Sequence, residues 1–108
     1  MTNADFEIIV DEQLAVVRDL LVTKGKEYSL TDDRLEVFRK AASLQGETVK
    51  QALCGMLAKH VISIYDMAMS NGEFSEARWT EKITDSINYL LLLKAAVLEE
   101  GARDERDY

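Results

Sequence analysis

The stretch from Glu81 to Leu98 constrains the fold of this chain most. At about 3.6 residues per turn, Glu81, Asp85 and Asn88 fall at i, i+4 and i+7, in a single row, with Thr84 beside it. Ile83, Ile87, Leu90, Leu91, Leu93, Val97 and Leu98 cover more than half of the circumference. A helix that is apolar nearly all round is usually buried. The acidic row is then expected to be drawn inward with it, and buried carboxylates must be paired, metal-bound or protonated. A shared Mg²⁺ or a lysine partner would resolve that conflict.

The rest of the composition agrees with a helical reading. The chain has 108 residues, enough for one domain with one core, and no proline. Its 47 % hydrophobic and 31 % charged residues argue against general disorder. No apolar run approaches the length of a bilayer span. The N-terminus, Met1-Thr2-Asn3-Ala4-Asp5, has neither the basic nor the apolar region of a signal peptide, so a cytoplasmic location is expected. Cys54 sits in an apolar helical pattern and reads as a core residue of a reducing compartment. The net charge of −7 argues against backbone-driven nucleic-acid binding, which needs clustered Lys and Arg. It is compatible with divalent cations, which carry anionic ligands to acidic surfaces.

Periodicity predicts four helices in a single domain over residues 1–108, with frayed ends at 1–4 and 101–108. The first runs from Asp5 to Lys24 or a little beyond, with Phe6, Ile9, Val10, Leu14, Val17, Leu20 and Leu21 as its stripe. Gly25 weakens or ends it, and Lys26 to Leu30 reads as a connection. Thr31 is a good N-cap for a second helix over Asp32–Leu44 that buries Leu35, Phe38 and Ala42. Gly46 is a natural stop. Thr48 and Gln51 form a capping-box pattern for a third helix reaching Ser70, before Asn71-Gly72. Its small and polar stripe is Ala52, Gly55, Lys59, Ser63, Asp66 and Ser70. The fourth helix, capped at Ser75 or Thr80, ends at Gly101. Short connections imply an all-α, four-helix-bundle-like fold. One chain of this size is not expected to cover the fourth helix alone, so a homodimer or higher homo-oligomer is expected.

Glu81 and Asp85 are the leading candidates for catalysis and for Mg²⁺, which needs few carboxylates because it keeps waters and takes ligand phosphates. Asn88 and Thr84 are placed to hydrogen-bond the same ligand. The plainer alternative is a solvated helix edge. Lys59 either neutralises Asp85, contacts a phosphate, or pairs with a carboxylate on the surface. His60, the only histidine, is expected to pack. Lys26 is placed to meet a phosphate, and Tyr28 either stacks on a base or staples the core. Glu36 reads as a solvated-face residue or as a third metal carboxylate. No Gly-rich phosphate loop, nucleophilic triad or Cys/His metal cluster is present.

Four segments occur in order: Lys26-Glu27-Tyr28, Asp33-Arg34-Leu35-Glu36-Val37-Phe38, Met56-Leu57-Ala58-Lys59 and Glu81-Lys82-Ile83-Thr84-Asp85-Ser86-Ile87-Asn88-Tyr89. The set resembles small phage and prophage helical proteins grouped as nucleotide-modification-associated domains. Those look like distant relatives of the MazG-like all-α nucleoside triphosphate pyrophosphohydrolases. The resemblance covers roughly residues 20–98, and its most specific part is acid-x-x-x-Asp-x-x-x-Tyr at Glu81, Asp85 and Tyr89. It implies an all-α, usually oligomeric fold and Mg²⁺-dependent release of pyrophosphate from a nucleotide. Asp85 matches the aspartate of the pattern, Glu81 its upstream acid and Lys59 a recurrent basic position. The chain departs from the enzymes in lacking a Glu-Glu-x-x-Glu cluster and in spacing Glu81 and Asp85 as Glu-x-x-x-Asp rather than Glu-x-x-Asp. Val37 stands where the phage relatives often carry a polar amide. The expectation is a phage-type Mg²⁺-dependent nucleotide-binding or pyrophosphohydrolase-like protein. Glu81, Asp85 and Glu36 would hold the metal, and Lys26, Tyr28, Lys59, Asn88 and Tyr89 the nucleotide. The alternative is a non-enzymatic acidic helical interaction protein.

Overall fold

The computed structural model describes residues 1–28 and 31–101, the side chain of Tyr28 excepted. The fold is all-α, with no strand among the described residues. Helix α1 spans Asn3–Arg18, passes through a π-helical turn at Asp19–Lys24 and runs on as the short α2, Gly25–Tyr28. Then come α3 (Glu36–Gln45), α4 (Val49–Met69) and α5 (Glu76–Glu99). Expected frayed residues 102–108 lie outside the described residues.

Local chemistry sets most boundaries. Thr2 starts α1 two residues earlier than the expected Asp5: its hydroxyl accepts from the Asp5 N–H, and the Asp5 carboxylate accepts from the Thr2 N–H. The same reciprocal pair, Thr48 with Gln51, starts α4. The Ser75 hydroxyl accepts from the Arg78 N–H and starts α5. Gly46, at φ 65°, ends α3 in the left-handed region, and the Glu47 N–H reaches back to the Ala42 carbonyl.

Two boundaries differ from the sequence reading. Helix α3 begins at Glu36, not at Asp32. The Thr31 hydroxyl accepts from the Asp33 N–H, and the Asp33 carboxylate accepts from the Leu35 N–H. These local bonds hold a turn where a first helical turn was expected. The first helix also passes through Gly25 instead of stopping there. Within the π turn the Gly25 N–H reaches the Leu20 carbonyl, and the Leu21 carbonyl accepts from Arg34 Nη1 at 2.7 Å. A Cβ on Gly25 would stand 2.5 Å from that guanidinium, so glycine here makes room for the side chain that anchors α1–α2 to the approach of α3.

Helices α4 and α5 form an antiparallel hairpin: Leu53 shares the core with Ala96, and His60 lies against Tyr89. Helix α3 packs on α4, and Leu35, Leu53 and Ala96 form a buried cluster that Phe38, Val49, Tyr89, Leu92 and Leu93 pack against. Arg39 ties the same end together by pairing with Asp33 and Glu99. Helix α1 lies on another face of α5, also antiparallel, since Gln13 meets Thr84 while the later Val16 and Leu20 lie near the earlier Ala77 and Thr80.

The expected burial of α5 is only partly met. Leu90, Leu91 and Leu98 are exposed, as is Glu81, because α3, α4 and α1 leave one side of the helix uncovered. Cys54, expected in the core, is exposed: Leu53 takes the inward position, and the next residue turns about 100° away. Among the described residues no helix is long and apolar enough to cross a membrane.

Candidate functional site

Helices α1 and α5 enclose an open groove of ≈ 530 Å³. Val16 and Leu20 form its apolar wall. From α5 come Glu76, Ala77, Thr80, Glu81, Thr84 and Asp85, every residue of that wall being one or four positions from another. The expected row of Glu81 and Asp85 therefore does face a single space, with Glu81 exposed and Asp85 partly buried. Glu76 was not foreseen as part of it. Its signal was available, since Ala77, Glu81 and Thr84 repeat at helical spacing and Glu76 lies at the mouth one turn before Thr80.

The floor of the groove is polar and fixed. Thr84 is 1 % exposed, and its hydroxyl accepts from Gln13 Nε2 at 2.7 Å. That bond joins two helices 71 positions apart in the chain. A buried hydroxyl without it would be costly. Gln13 was missed in the sequence, although it stands in register with Phe6, Val10 and Val17; a polar residue in an apolar stripe marks a hydrogen bond across the interface.

Behind Asp85 stands His60 of α4, with Nδ1 3.8 Å from the carboxylate, an ionic but not a hydrogen-bonding distance. The His60 ring stacks on Tyr89, centroids 5.1 Å apart. His60 packs, as expected, but it also takes the place beside Asp85 that was offered to Lys59. Its position, four residues from both Met56 and Ile64, places it on the inward face of α4. Lys59 instead lines a separate shallow groove along α4 with Ser63, Asp66 and Phe74. One residue of offset on a helix accounts for this.

The remaining candidates are dispersed. Asn88 lies one turn beyond Thr84, and its buried Oδ1 has no hydrogen-bond partner. Tyr89 packs against the core cluster as well as His60. Lys26 is exposed on α2. The Tyr28 side chain lies outside the described residues. Glu36 is on α3, where it accepts from the Thr31 hydroxyl at 2.7 Å and pairs with Lys40 at 3.2 Å. The Thr31 hydroxyl, then Lys40, lower its carboxyl from the ordinary value. It does not join Glu81 and Asp85: no three His, Cys, Asp or Glu side chains among the described residues are grouped to hold a metal ion.

The arrangement sets two carboxylates, Glu81 and Asp85, in one groove with an apolar wall of Val16 and Leu20. An anionic ligand meets three acidic side chains and would need a cation to enter. No family model matches this chain, and no curated protein or solved structure matches it.

Proposed function

We propose that the α1–α5 groove binds a nucleotide together with Mg²⁺, in a phage-type, cytoplasmic, homo-oligomeric protein related to the MazG-like pyrophosphohydrolases. The observation that supports this reading best is that Glu81 and Asp85 line one groove opposite the apolar Val16 and Leu20. The donor set fits Mg²⁺ in one way only. Two carboxylates suffice for an ion that keeps waters and shares ligand phosphates, whereas among the described residues no third acid is grouped with them for a cage made by the protein alone. Glu81 and Asp85 would hold the ion, which when bound neutralises phosphate charge and activates water.

The chain's own residues do the rest. Val16 and Leu20 give a base or sugar an apolar surface. The Gln13–Thr84 bond fixes the distance between the walls. Asp85, with the His60 ring behind it, would accept the proton of an attacking water on the oxygen that does not hold the ion. In hydrolysis that water would add to the α-phosphorus and the bond to pyrophosphate would break.

A thermal-shift series of nucleoside triphosphates, with and without Mg²⁺, tests the reading. At a ligand concentration a hundredfold above Kd, binding stabilises by about 2.7 kcal/mol. The rise in Tm should need Mg²⁺ and vanish in Asp85→Ala and Glu81→Gln; the active nucleotide should then release pyrophosphate. A flat series with stable variants would favour the second reading, a non-enzymatic acidic interaction protein. That alternative draws support from the acids of the groove all coming from α5, with none from a facing helix.

A further inference from the structure

Beyond the Gln13–Thr84 bond, the sides of α1 and α5 that meet there are both bare. On α1, Val10 and Phe6 precede Gln13 on its own side of the helix, and Phe6 is 58 % exposed. On α5, Leu91 and Leu98 follow Thr84 at two-turn intervals, and Leu98 is 48 % exposed. Every residue from Met1 to Glu12 is exposed. The first turns of α1 therefore bury no side chain, although Phe6, Ile9, Val10 and Leu14 form an apolar stripe along them. A stripe of this kind on one helix, facing bare leucines on another, is the form of a helix-binding cleft.

Charge decides what kind of helix it fits. Asp5 and Glu12 border one edge of the stripe, and Glu7 and Asp11 border the other. The first basic residue of the chain is Arg18. None of the four acids forms an ion pair among the described residues. On α5, Lys94 is the one base after Lys82 among the described residues. A second α1 stripe laid here would set acid against acid, and an anionic surface would be repelled in the same way.

We infer that this cleft takes a cationic amphipathic helix of a different protein. Its apolar side lies between the α1 stripe and the Leu91–Leu98 row of α5, and its Lys or Arg side chains lie along the acidic edges of α1. Apolar anchors supply the affinity in such a pairing, while the bordering charges set orientation and speed the encounter. The inference stands apart from the nucleotide reading: it uses another surface, and its probe carries no phosphate.

Fluorescence anisotropy on the full chain tests it. The probe is a labelled peptide of about 18 residues, with leucines at helical spacing and lysines on both borders. It should bind, and a peptide of the same residues in an order without helical periodicity should bind at least about tenfold more weakly. Phe6→Asp and Leu91→Asp should each weaken binding about tenfold or more. Both variants add a negative charge, so attraction by net charge alone would tighten binding instead. Asp11→Lys and Glu73→Lys change the net charge equally, but Glu73 lies on the turn before α5, at the end away from Leu98. Only Asp11→Lys should weaken binding, and its effect should shrink as salt rises. Circular dichroism of the variants should match the wild type, because the replaced side chains are exposed. A probe that fails to bind would overturn the inference, as would tighter binding by the aspartate variants or equal losses in the two lysine variants. Two other occupants would overturn it equally. A second copy would show as a wild type that excludes the probe and a Phe6→Asp chain of lower mass in sedimentation equilibrium. A lipid surface would show as binding to neutral phosphatidylcholine vesicles that Phe6→Asp abolishes.

Discussion

The two ends of α5 carry similar side chains and meet different surroundings. Toward its C-terminus, Ala96 is 1 % exposed and lies against Leu53 and Leu35, so three helices close on one point. Toward its N-terminus, α4 lies on one side with His60 behind Asp85, and α1 lies on another, where a hydrogen bond, Gln13 to Thr84, is buried beside an open groove. The first end is held by packing, and the α1 side of the second by a polar pin with an acidic mouth. Such a difference separates a rigid body from a region that can admit a ligand, because local opening is cheapest where few apolar contacts must break.

Breaking the packed end should have the largest effect. Leu53 is fully buried, so Leu53→Ala should cost about 2–5 kcal/mol, read as a lower midpoint in urea with α-helical structure lost in one transition. The pinned end should yield a smaller and more local response. Thr84→Val removes the acceptor of Gln13 and should cost about 1–2 kcal/mol. Hydrogen exchange should then speed up along α1 while amides around Leu53 and Ala96 keep their protection; uniform loss of protection would show that the two ends are one cooperative unit.

Asn88 sharpens the contrast in the opposite direction. Its buried Oδ1 has no partner, so Asn88→Leu should leave stability unchanged or raise it by about 1 kcal/mol. If Asn88 belongs to the nucleotide site, the same variant should lose the Mg²⁺-dependent thermal shift. A strongly destabilised Asn88→Leu protein would mean that the side chain is a packing element and no hook.

The smallest effect concerns the turn that replaced the expected start of α3. The Glu36 carboxyl is lowered from its ordinary value chiefly because the Thr31 hydroxyl donates to it. A carboxyl lowered in the folded state stabilises above its unfolded pKa, and that contribution is lost as pH falls through the folded pKa. Thr31→Val should move the Glu36 titration upward in an NMR pH series and shift the loss of the contribution to higher pH. An unmoved titration would leave Lys40 as its cause.

Much of this architecture was legible in the chain. Thr48-x-x-Gln51, Ser75 and Gly46 set helix ends because each satisfies backbone groups within a few residues, and such local bonds depend on little else. The row of Glu81 and Asp85 follows from helical periodicity in the same way. The start of α3 was misread since Thr31, Asp33 and Glu36 can cap a helix or hold a turn, and Leu35 is buried by the second choice.

What tertiary structure alone decided is which faces meet. Periodicity put apolar residues on both α1 and α5, but not that Gln13 of one would meet Thr84 of the other. It put His60 beside Lys59 in the chain, while the rotation of α4 against α5 chose His60 for Asp85 and turned Lys59 to another groove. Helix formation is a short-range balance of backbone bonds and caps, so sequence determines it nearly by itself. The rotation and crossing of helices minimise exposed area over the whole molecule, and that sum has no local signature.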